Sequence, residues 1–237
     1  MQSAAWGPQI SSLAQNHRVI APDLPGHGQS DPLPEGSQLP AFVSWCRDVL
    51  RALDLRHINL AGHSMGALIA LGYTAGYPDE VNRLALLNCV YKRDDRARQA
   101  VITRAAEIST GTLDFETPLE RWFSNRPSNQ AARARVAEWL SAVDAAGYAT
   151  AYGAFARGDA TYADKLHRIH CPTLALTGAE DPNSTPAMAR ALATAIADGQ
   201  AIVVEGHRHM VNLTASQVVN RHLINWLKHP IAAREMQ

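Results

Sequence analysis

Apolar and polar positions along the chain follow two periods that alternate. Short runs dense in aliphatic and β-branched residues predict strands: "HRVIAPD" (His17 to Asp23), "HINLAG" (His57 to Gly62) and "RLALLNCV" (Arg83 to Val90). Two more follow late in the chain, "CPTLALTG" (Cys171 to Gly178) and "AIVVEG" (Ala201 to Gly206). Between them apolar residues recur at helical spacing, in "FVSWCRDVLRALDL" (Phe42 to Leu55), "MGALIALGYTAGYP" from Met65, "PAMARALATAIA" from Pro186, and the amphipathic "ASQVVNRHLINWLKH" from Ala215. Alternating strands and helices predict an α/β fold around a mostly parallel sheet.

From about Tyr91 to His170 the alternation stops. "RARQAVITRAAEI", "PLERWFS" and "ARARVAEWLSAVDAAGYATAYGAFA" all read as helix, with no strand between them. The expected organisation is therefore a core made of residues 1–90 and 171–237, interrupted by a helical insertion over 91–170. The sequence has no internal repeat and no low-complexity linker.

Composition narrows the function classes. The 237 residues are 46% apolar and 19% charged, with Lys plus Arg equal to Asp plus Glu at 22 each. Such a balance carries no basic footprint for nucleic acid or an anionic membrane. The local run "KRDDRAR" (Lys92 to Arg98) mixes both signs and reads as solvated helix surface. Cys46, Cys89 and Cys171 match no metal-ligand spacing, and an odd, scattered set suits a reducing compartment. The start "MQSAAWGPQISSL" lacks a signal-peptide pattern, and no apolar run reaches membrane-spanning length. The expectation is a soluble, cytoplasmic protein acting on a small molecule, with no metal and no cofactor; oligomeric state is left open.

The stretch "LAGHSMGALIALG" (Leu60 to Gly72) carries the chemistry. A strand, a one-residue corner and a helix place Ser64 at the corner, with glycines at 62 and 66 that keep a sharp turn free of bulk. There the Ser64 hydroxyl stands above the sheet, and the Met65 backbone N–H, at a helix N-terminus, faces a developing oxyanion. A serine hydroxyl needs a base, and the base an orienting acid. His209, in the loop after "AIVVEG", is favoured as base over its neighbour His207. In "GAEDPNSTP", Asp181 is favoured as acid over Glu180, with Asp94 or Asp95 as rivals after the preceding strand. The chain order Ser64, Asp181, His209 is that of one serine-hydrolase fold only.

These motifs resemble the α/β-hydrolase superfamily over nearly the whole chain, from about Trp6 to Leu227. "VIAPDLPGHGQSD" is similar to the family's loop after its fourth strand and "GHSMG" to its nucleophile elbow. "PTLALTGAEDP" is similar to its acid loop and "EGHRHMVNL" to its histidine loop. The resemblance implies helices on both faces of the sheet and a cap formed by the helical insertion. It assigns Asp23, Gly26, His27 and Gly28 to shaping a loop. Trp122, Phe123 and Trp139 of the cap are candidates for the substrate pocket.

It also implies a departure. Relatives carry two or three strands before "SAAWGPQISSLAQNHRVIAPDLPGHG", the last ending in a His-Gly-rich loop that supplies a second oxyanion N–H. Roughly 25 residues of that pattern are absent before Met1. Met1 is therefore read as an internal methionine of a longer protein, with a rearranged sheet as the alternative. Loss of one oxyanion donor typically costs about 100- to 1,000-fold in turnover. The expected function is hydrolysis of a small ester, thioester or lactone through an acyl-enzyme. The alternatives are a carbon–carbon bond hydrolase of ring-cleavage products and a non-catalytic or inactive α/β-hydrolase-like protein.

Overall fold

The computed structural model describes residues 2–231. In chain order its principal elements are α1 (Gly7–Leu13), α2 (Leu39–Ala52), β1 (Ile58–His63), α3 (Met65–Gly76) and β2 (Val81–Leu87). Four helices follow without a strand: α4 (Asp95–Ser109), α5 (Glu116–Trp122), α6 (Gln130–Ser141) and α7 (Ala145–Gly158). The alternation then resumes with β3 (Thr173–Gly178), α8 (Pro186–Ala195), β4 (Gly199–Val204), α9 (Val211–Thr214) and α10 (Ser216–Lys228).

The strands form one parallel sheet in the order β1-β2-β3-β4. Successive side chains on a strand point to opposite faces, so a central strand must be apolar on both. β2 does this. Leu84 and Leu86 pack in one core with Phe42 of α2, Leu68 of α3 and Leu192 of α8. Ala85 and Leu87 pack in the other with Val211, Val219 and Trp226, from α9 and α10. Helices thus cover both faces of the sheet.

The third core lies in the four-helix segment, where Ile108, Leu119, Phe123, Val136, Leu140 and Tyr148 pack together. Met210, next to His209, belongs to this cluster, so the segment is seated over the loop that follows β4. Its helices start where the local chemistry dictates. The Asp94 carboxylate accepts the Ala97 N–H (2.7 Å) at the start of α4, and Asp144 accepts the Gly147 N–H (2.6 Å) at the start of α7. The Asp144 cap also splits the long run 132–156, read as continuous helix, into α6 and α7.

One predicted strand is not formed. His17–Asp23 runs as irregular chain with Ile20 40% exposed, because no strand among the described residues lies beside it to complete a ladder. β1, whose outer edge is unpaired in this sheet, is correspondingly less buried than β2. Beyond Asp23, the loop "PGHG" turns back on itself and meets the cap. A Cβ at Gly147 would sit 2.6 Å from Gly26 Cα, so loop and α7 touch backbone to backbone.

That contact makes a prediction. Gly147→Ala forces the two backbones apart and should cost about 1–3 kcal/mol of stability. Gly153→Ala, on the same helix, meets only the Arg157 guanidinium at an ordinary 3.6 Å and should be neutral or stabilising by up to about 1 kcal/mol. Urea midpoints of the two variants beside the parent chain check this.

Candidate active site

Parallel strands bring their carboxyl ends, and the loops leaving them, to one edge. There the backbone is stitched from strand to strand: Ser64 N–H donates to Leu87 C=O (2.9 Å), and Asn88 N–H to Leu176 C=O (2.7 Å). Between β1 and α3 the chain turns at Ser64 with φ 54° and ψ −115°. A non-glycine residue at such positive φ carries strain on the order of 1–3 kcal/mol. The surroundings over-determine it, because α3 is buried from Ala67 to Ala75 and anchors the outgoing chain. Gly62 makes the turn possible, since a Cβ there would lie 2.1 Å from the Gly66 carbonyl oxygen. Gly66 itself faces open space, a difference from the expectation that both glycines answer to close packing.

The structure brings Ser64, His209 and Asp181 into one chain of hydrogen bonds. Ser64 Oγ donates to His209 Nε2 (2.9 Å), and His209 Nδ1–H donates to Asp181 Oδ2 (2.8 Å). His209 and Asp181 are 3% and 2% exposed, so the pair works away from bulk water. Burial pushes the Asp181 pKa upward. The adjoining His209, Asn88 Nδ2 donating to Oδ2 (2.8 Å) and Asn183 N–H donating to Oδ1 (2.8 Å) outweigh it and hold the carboxyl below its usual value. The carboxylate therefore stays charged and keeps the imidazole in the tautomer that accepts from serine.

The rivals have other partners. His207 Nδ1 pairs with Thr214 Oγ1 (2.9 Å). Glu180 makes a loose, exposed pair with Arg126 (4.0 Å), Asp94 caps α4, and Asp95 pairs with Arg98 (3.6 Å). His63 has a part that the sequence did not suggest: its Nε2–H donates to the His209 carbonyl (2.9 Å), fixing the loop that carries His209. Asn88 was also missed, although a polar residue at the end of the apolar run "RLALLNCV" is a legible signal. Arg208 ties the same loop to the cap through the carbonyls of Glu120 (2.8 Å) and Phe123 (3.0 Å).

A cavity of about 1020 Å³ opens over Ser64 and His209 and runs on along β1 towards Arg18–Leu24. Met65 borders it at the first turn of α3, where N–H groups lack intrahelical acceptors. Trp122 also borders it, with its ring 5.7 Å from that of His209. Phe123 and Trp139 do not. Phe123, the next residue on, turns into the cap's own core, and Trp139 borders a separate shallow depression with Asp23 and Ala142. Arg93 departs further from expectation: inside the run read as solvated surface, it is only 5% exposed and pairs with Asp159 (3.3 Å). Just before the "PGHG" loop, Asp23 accepts the N–H groups of Ser3 (2.6 Å) and Gln29 (2.9 Å). Among the described residues no group of three His, Cys, Asp or Glu side chains could hold a metal, and no helix is long and apolar enough to cross a membrane.

Fold and site together define a class: an α/β hydrolase with a serine–histidine–aspartate arrangement at the carboxyl edge of a parallel sheet. The chain belongs to the alpha/beta hydrolase family, whose sequence profile matches residues 2–221. It is 50% identical over 228 residues to an (E)-2-((N-methylformamido)methylene)succinate hydrolase of Acinetobacter baylyi, an alignment covering 96% of this chain and 87% of that one. Among solved structures, a thermophilic esterase from Thermogutta terrifontis with malate bound superposes with TM-score 0.86 at 25% identity, over 96% of this chain and 86% of its own. An enol-lactonase from Burkholderia xenovorans gives 0.85 at 25% identity, over 96% and 87%.

Two buried imidazoles set a pH dependence. Burial pushes both His27 and His63 from 6.5 down to about 3, so they remain neutral in the folded protein. Below the unfolded value of 6.5 the unfolded chain binds protons that the folded one refuses, and stability is lost as pH falls towards about 3. The slope is about 1.4 kcal/mol per pH unit for each histidine, and the full stability is present above 6.5. Urea midpoints measured between pH 7.5 and 4 should fall accordingly, and His27→Gln should flatten the fall.

Proposed function

We propose that the protein is a serine hydrolase working through an acyl-enzyme on Ser64, with His209 as base and Asp181 as the acid that orients it. The observation that carries the reading is the unbroken hydrogen-bond chain from Ser64 Oγ through His209 to buried Asp181, opening on a cavity. Attack of Ser64 Oγ on a substrate carbonyl passes the hydroxyl proton to His209 Nε2. The oxyanion that forms faces the Met65 N–H. Collapse breaks the bond from carbonyl carbon to leaving atom, and the leaving atom takes the proton from His209. Water then attacks the acyl-enzyme, yields its proton to the same nitrogen, and releases acid product and free serine. Trp122, against the His209 ring, shields that proton transfer from solvent.

For the substrate, the sequence left a small ester, thioester or lactone as first reading and a ring-cleavage product as second. The relatives back the second better. The relative at 50% identity is named for a conjugated open-chain dicarboxylate, not for an ester. The structural likenesses to an esterase and an enol-lactonase are more distant at 25% identity. Our reading is hydrolysis of an unsaturated, open-chain dicarboxylate, in which the leaving atom is one whose charge the conjugated system delocalises.

The test compares turnover of (E)-2-((N-methylformamido)methylene)succinate with that of p-nitrophenyl acetate. The expected result is a kcat/KM for the dicarboxylate well above that for the ester, and a fall of roughly 10,000-fold or more in Ser64→Ala. A preference for the simple ester would return the first reading. Turnover unaffected by Ser64→Ala would remove the acyl-enzyme altogether.

A further inference from the structure

The Arg93 side chain is 3% exposed, yet its charge is only partly answered. Nη1 lies 3.3 Å from Asp159 Oδ1 and 3.4 Å from the Phe155 carbonyl, and the guanidinium stacks 4.5 Å from the Phe155 ring centre. Nη2 is buried and has no hydrogen-bond acceptor among the described residues. Asp159 cannot balance the site alone. Its Oδ2 also takes the Arg93 backbone N–H (2.6 Å) and Arg98 Nη2 (3.3 Å), so one buried carboxylate is shared between two guanidiniums, of which Arg98 also meets the exposed Asp95 (3.6 Å) while Arg93 has no second acid. A charged donor left buried and unpaired is costly, and a bound anion would relieve that cost.

Arg93 borders the same cavity as Ser64 and His209. Arg121 borders it too and has no acidic partner among the described residues, whereas Arg104 is occupied by Glu107 (3.1 Å). We propose that Arg93 Nη2 is the anchor for a substrate carboxylate, with Arg121 adding positive charge at the more exposed part of the cavity. The site would thus select substrates carrying a carboxylate over neutral acyl compounds. The inference rests on the cavity being the substrate site of the hydrolase read above, and names the chemistry that the cavity recognises. Asp159 and Phe155 hold the planar fork of Arg93 in one orientation, and a carboxylate matches such a fork better than it matches a point charge.

Succinate is the probe, titrated calorimetrically into the chain carrying Ser64→Ala, so that binding is read without turnover. Succinate should bind and neutral succinamide should not. Arg93→Gln should weaken succinate by about 10- to 100-fold. Arg93→Lys keeps a charge beside Asp159, guards against a folding defect, and should fall between. In the Ser64 chain, Arg93→Gln should lose about tenfold or more in kcat/KM on the dicarboxylate relative to p-nitrophenyl acetate, mainly through KM. Succinate affinity unchanged in Arg93→Gln, or no succinate binding by the parent, overturns the proposal. A chain that binds succinate through Arg93 yet turns over nothing keeps the carboxylate anchor and overturns the acyl-enzyme reading instead.

Discussion

Everything at the site depends on the parallel pairing of β1, β2 and β3. Because the strands run the same way, each releases its chain at one edge, and the residues just past their ends are forced into proximity. The bonds from Ser64 N–H to Leu87 C=O and from Asn88 N–H to Leu176 C=O extend the ladder one residue beyond the strands themselves. Ser64 is therefore held at the sheet's edge at an angle its own backbone would not choose. The same ladder sets Asn88 beside Asp181. Geometry that looks local to the side chains is inherited from strand register.

Upon that frame the site balances charge against burial. Asp181 is almost wholly removed from solvent and stays ionised only because three neighbours compensate the lost hydration. His63, the residue before Ser64, contributes through its ring, which holds the carbonyl of His209. Its own neutrality matters here, since a second cation 5.1 Å from the His209 ring would oppose the charge that the proposed mechanism places on that ring. Arg208 and Met210 join the same loop to the cap, so His209 is steadied from below by the sheet and from above by α5 and the residue after it.

Much of this was legible in the residues. "GHSMG" announced a corner between strand and helix because its glycines and flanking periods say so locally, and the loops carrying Asp181 and His209 were marked by the strands before them. What was not legible depended on partners remote in sequence. His17–Asp23 has the hydropathy of a strand, but a strand exists only with a neighbour to bond, and hydropathy does not see neighbours. Trp122 and Phe123 are adjacent and similar in chemistry. α5 ends between them, and the extended backbone of Phe123 (φ −121°, ψ 143°) sends it to the cap core while Trp122 borders the cavity; the sequence does not state where the helix stops. Arg93 was hidden in a run of mixed charge, because its burial depends on Asp159 and Phe155, more than sixty positions later.

The separation of the reacting groups along the chain has its own consequence. Ser64 and His209 stand 145 residues apart, and that interval contains the whole cap and β2 to β4. Closing so long a loop costs entropy that only the assembled sheet recovers. No short folding nucleus can then contain the proposed hydrolytic centre, because its two groups come from distant halves of the chain. In the proposed mechanism a working centre is thus a certificate of completed folding, since Ser64 meets His209 only after β1 to β4 have paired and the loop beyond β4 has closed over the sheet edge.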